Sequence, residues 1–123
     1  MIEEKLPAKF LTGAYHPSLF IYAFKRNVLD KLFEELLQSN IAILGGEVWL
    51  VEDGQSFGVI PLRDGSKTVL NWKISSLKGE EWFDFVGRSV KETLEKITGA
   101  DLEKKVNTQT RQKIWYHFDF MAG

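Results

Sequence analysis

The sequence predicts an α+β domain: an antiparallel β-meander with two amphipathic helices packed on one face. Three observations carry this. Residues 41–51 form a short apolar run, too short for a membrane span and suited to a buried strand. Two Asp-Gly turns, at Asp53-Gly54 and Asp64-Gly65, separate the extended segments that follow. One stretch before and one after repeat apolar residues at helical spacing. Those helical stripes must face something apolar, and the sheet supplies it. Each fully buried large side chain contributes about 1.5–3 kcal/mol.

The 123 residues suffice for one domain with its own core. Residues 1–18 read as a lead-in, with turns at Pro7, Thr12-Gly13 and His16-Pro17. Residues 19–24 are apolar without a period and fit either a strand or the start of a helix. Residues 25–98 form the motif-bearing core. A helix runs from Lys25, with Val28, Leu29, Leu32, Phe33, Leu36 and Leu37 on one half of its wheel; Ser39-Asn40 stops it, because Asn tolerates the left-handed conformation. In the strand that follows, Val48 and Leu50 share one face, and Glu47, Trp49 and Val51 the other. Gly45 and Gly46 interrupt it, which marks a bulge, a bend or a close approach.

Phe57 to Leu62 is the expected return strand. Thr68 to Ile74 is the next, with Leu70, Trp72 and Ile74 on one face. A second helix is expected over about residues 80–98. Phe83, Val86, Val90, Leu94 and Ile97 form its stripe, Trp82, Phe85 and Ser89 widen it, and Gly99 is the expected cap. Asp84–Arg88 and Glu92–Lys96 are its expected ion pairs. Residues 100–123 read as a polar linker and a last alternating strand, Ile114 to Phe120, able to pair with another chain if its edge is free.

Composition narrows function. Sixteen basic and 17 acidic residues nearly cancel, which argues against a dedicated nucleic-acid binder. The absence of cysteine excludes a disulfide scaffold and the usual structural zinc sites. Glu3 and Glu4 replace the basic start of a secretory signal, and no stretch reaches transmembrane length, so the cytosol is the expected compartment. His16 and His117 lack metal-binding spacing and read as structural or exposed. No serine sits in a Gly-x-Ser-x-Gly setting, and Gly45-Gly46 is not a phosphate loop. No catalytic residue, metal or cofactor is expected.

Aromatic residues make up 13% of the chain, and Trp and Tyr dominate protein–protein hot spots. Trp72 and Phe83 read as core. Trp49 and Trp115 each lie opposite the more apolar face of their strands. With the acidic groups Glu47, Glu52 and Asp53 they form the expected partner-binding set.

Ile43-Leu44-Gly45-Gly46-Glu47-Val48-Trp49 resembles the Ile-Leu-Gly-Gly-acid-Val-aromatic run of the immunity protein 40 family of bacterial polymorphic toxin systems. A helix precedes the run in that family, as residues 25–39 do here. Trp72 then matches its following tryptophan, and Trp82, Phe85, Arg88 and Ser89 its aromatic-rich helix start. The resemblance spans about residues 28–97. It implies a non-enzymatic cytoplasmic protein, monomer or homodimer, that binds and neutralises a cognate toxin domain, with no role for nucleic acid or membrane. The alternative is a small-molecule-binding or enzyme domain with a pocket at Gly45-Gly46-Glu47, where glycines allow close backbone approach to a ligand.

Overall fold

The computed structural model describes residues 2–18 and 21–123. A 3-10 turn over Ile2–Lys5 leads into α1 (Ala8–Thr12) and the hairpin of β1 (Tyr15–Ser18) and β2 (Ile21–Phe24). The lead-in is therefore more structured than its turn signals imply. Pro17 is tolerated because β1 is an edge strand, where no inner ladder needs its missing N–H. Within 19–24, Ile21–Phe24 resolves as strand, while Leu19 and Phe20 lie outside the described residues. A 3-10 turn at Arg26–Val28 opens α2 (Leu29–Gln38), which buries Leu29, Leu32, Phe33 and Leu36 and leaves Leu37 exposed. Asn40, at φ 54°, adopts the left-handed conformation expected of it.

β3 (Ile41–Glu52) is the long strand. A register shift between Ile43 and Gly45 is the bulge that the diglycine announced. Asp53 and Gly54 both have positive φ and form a two-residue turn into β4 (Gln55–Phe57).

The antiparallel sheet and its two covering helices agree with expectation, but the strands do not run on as a simple meander. The expected return strand 57–62 is divided: β4 ends at Phe57, and β5 (Ile60–Pro61) pairs with β6 (Lys67–Thr68) in a separate small hairpin. The chain then comes back to β3, where β7 (Asn71–Lys73) pairs with Gly45–Glu47. Thus β4 and β7 occupy different lengths of β3, and neither lies outside the other. The break follows from Gly58, which has no side chain to pack, and Pro61, which cannot donate to an inner ladder.

α3 (Trp82–Ala100) packs on β3 and α2. Its buried face runs through Phe85, Val86, Ser89, Val90, Thr93 and Ile97. Phe83, expected in the core, is instead 73% exposed. The stripe is rotated because two polar residues belong to it. Ser89 Oγ accepts from the Ile43 N–H at 3.0 Å, and Thr93 Oγ1 accepts from the Trp72 indole at 3.2 Å. The cap is Asp101, at φ 49°, rather than Gly99, which lies inside the last turn. The expected polar linker folds into two short turns, α4 (Leu102–Lys105) and α5 (Thr108–Arg111), that bury Leu102 and the neighbouring Val106.

β8 (Ile114–Ala122) turns Ile114, Tyr116 and Phe118 into the core. It lies between β2 and β3, so the sheet order is β1-β2-β8-β3-β4. At Tyr116 and His117 it is paired on both sides and has no free edge to offer another chain.

Candidate functional site

The diglycine accommodates this chain's own tryptophan. A Cβ at Gly46 would stand 2.6 Å from the Trp72 ring and 2.8 Å from the His117 carbonyl oxygen. A Cβ at Gly45 would stand 2.5 Å from the Trp72 carbonyl oxygen. Both glycines thus let β7 and its indole lie flat on β3. The close approach that a ligand pocket at Gly45-Gly46-Glu47 required is already taken by Trp72. The cleft described below is not lined by Glu47.

Arg88, Ser89 and Phe85 fasten α3 to this point. Arg88 donates to both Glu80 oxygens at 2.8 Å, to Glu92 at 2.8 Å and to the Ser75 carbonyl at 2.7 Å. The expected partners differ: Arg88 takes Glu80 and Glu92 in place of Asp84, and Glu92 takes Arg88 in place of Lys96. Glu80 is thereby bound by the helix that it precedes. The Arg88 guanidinium, aided by the Leu77 N–H, holds its carboxyl at about 2, well below the usual 4.5. Phe85 is buried under the Arg88 guanidinium, 5.4 Å from its ring centroid.

The opposite face of the sheet carries the expected partner-binding residues. Trp49 lies directly across from Trp115, and Glu47 across from His117. These four share one face by strand alternation. None is fully exposed. Trp49 stacks on the His117 imidazole, with centroids 4.7 Å apart and planes within 9°. Trp115 meets Tyr15 at 5.8 Å and lies under the Lys25 ammonium, 4.3 Å from its centroid.

His117 is further held by its Nδ1, which donates to the Tyr22 carbonyl at 2.9 Å, and its Nε2 lies 3.5 Å from Asp119. The 3-10 turn at Ile2–Lys5 lies against β8. There the Glu3 carboxyl stands near His117 and Asp119, its pKa raised by burial. His16 also has a structural role, stacking on Tyr22 at 4.0 Å. Among the described residues, no group of His, Asp and Glu is placed to hold a metal ion.

The acidic pair sits at the end of this face, in the β3–β4 turn. Glu52 is bound to Lys113 at 2.6 Å, and Asp53 is exposed. The residues expected to bind a partner thus lie on one side of the sheet and one rim. Two basic residues outside the expected set, Lys25 and Lys113, are interleaved with it. Their signal was cross-strand position: Lys25 leaves β2 beside Trp115, a pairing that sequence without a register does not reveal.

A match to the family model described as immunity protein 40 runs over residues 19–118. The chain belongs to the immunity protein 40 family. The match takes in the diglycine strand, Trp72, both long helices and the first part of β8, and leaves out β1. No curated protein and no solved structure matches this immunity protein 40 member. No helix among its described residues is long and apolar enough to cross a membrane.

Proposed function

We propose that this chain binds and neutralises a cognate bacterial toxin domain, without catalysis, in the cytoplasm of the cell that makes the toxin. Membership of the immunity protein 40 family over residues 19–118 carries the reading. The binding surface is the sheet face of Glu47, Trp49 and Trp115, with Glu52 and Asp53 at its rim. The two long helices cover the other face. Half-buried tryptophans held by stacking lose little side-chain freedom on binding, which suits them as anchors.

The test is co-expression with the toxin-domain gene that neighbours it. Growth should return when this protein is present and be lost again with Trp49→Ala together with Trp115→Ala. Failure to protect against every neighbouring toxin domain removes the proposal.

A further inference from the structure

Where β2 runs into α2, a cleft of about 590 Å³ opens between residues 25–27, Glu103 of α4 and the α5–β8 junction. Lys25, Arg26 and Arg111 line it against the single carboxylate of Glu103. That carboxylate is engaged, accepting from the Tyr116 hydroxyl at 3.1 Å. Arg26 is drawn only weakly to Asp30, at 3.7 Å across one helical turn. The Arg111 guanidinium has no ion-pair partner among the described residues. Lys25 belongs to both surfaces, since its ammonium covers Trp115 and donates to the Gln112 carbonyl at the cleft wall.

We propose that this cleft receives an aspartate or glutamate side chain which the toxin domain projects alongside Trp115. The inference rests on the toxin-binding reading above and adds to it the partner's charge at one place. Three cations lining the cleft, one of them lying over Trp115 of β8, favour an anion carried on a protein surface. Such a carboxylate would meet the forked donors of Arg111 and Arg26 while its backbone lies over the aromatic face. The remaining acid, Glu103, disfavours a more highly charged anion. Burial already lowers the Lys25 pKa, so an incoming carboxylate would stabilise an ammonium that is short of solvent. The surface is then two-signed: acidic groups at Glu52 and Asp53 in the β3–β4 turn, and a basic socket beside Trp115 at the start of the adjoining β8.

The test is calorimetric titration of the purified neighbouring toxin domain into wild type, Arg111→Glu and Arg26→Glu at low and moderate salt. Lys91→Glu, an exposed reversal on α3 outside the cleft, is the control for net charge. Each cleft reversal should weaken binding by about tenfold or more and flatten its salt dependence, with the control near wild type. Unchanged circular dichroism would show that the variants fold. A toxin-side acid-to-lysine change that restores affinity for Arg111→Glu would identify the inserted residue. Wild-type binding with both cleft variants equally tight overturns the socket and leaves the toxin-binding reading standing. Absence of wild-type binding overturns both.

Discussion

Trp72 and Trp49 lie on opposite faces of one sheet and do different work. Trp72 is 7% exposed, lies on a diglycine and has its indole N–H satisfied by Thr93. Trp49 is half-buried and stacks on an imidazole whose own partners are a carbonyl and two carboxyls. On the helix side, every neighbour of the tryptophan is fixed by packing, so the residue specifies the fold. On the other side its neighbours are polar or charged, the setting that the proposed partner surface calls for. The lesson is that aromatic content alone does not separate core from interface. The chemistry opposite each ring does.

The largest effect should separate these two tryptophans. Trp72→Ala is expected to cost about 4 kcal/mol, the usual range for removing a buried aromatic. Trp49→Ala should cost about 1 kcal/mol, as for a partly exposed position. Urea unfolding followed by circular dichroism measures both. The order should reverse for toxin affinity, where Trp49→Ala loses about 2 kcal/mol or more. Equal stability losses from the two substitutions would erase the distinction between the faces.

A smaller effect tests why Trp72 fits. Gly46→Ala places a methyl group against the indole and a backbone carbonyl, and overpacking of this kind costs about 1–3 kcal/mol. In the background of Trp72→Ala the same change should cost less, because the ring half of the clash is gone. Additive losses in the double mutant would mean that the diglycine serves some purpose other than seating Trp72.

The smallest effect concerns the clamp behind the helix face. Glu80 is held at about 2 by Arg88, below its usual 4.5. A depressed carboxyl stabilises the fold when ionised, so its contribution is present above pH 4.5 and lost as pH falls from there towards 2. Glu80→Gln should therefore flatten the acid limb of a stability-against-pH curve. An acid limb identical to wild type would place the acid sensitivity elsewhere.

Much of this was legible in the chain. The long strand, its bulge, the Asp-Gly turn and both helices follow from period and turn chemistry, which are local. The placing of Phe83 was not legible, because apolar counting cannot know that Ser89 and Thr93 are buried to satisfy Ile43 and Trp72. The divided return strand was missed because Phe57–Leu62 is apolar enough for a strand, and only the third dimension shows that β7 reclaims β3. For the candidate surface, Trp49 and Trp115 were identified by alternation, and their face-to-face register is now visible. The basic cleft was not, since Lys25, Arg26 and Arg111 are 85 residues or more apart in part and meet only through β8.

β8 leaves the ribosome after every other strand of this sheet, yet its place is between β2 and β3. Until it emerges, two long-since synthesised strands hold bare hydrogen-bonding edges towards each other. A nascent chain interrupted anywhere before residue 114 would be an adhesive fragment, prey for chaperones and proteases. The sheet can close only after translation has passed residue 114.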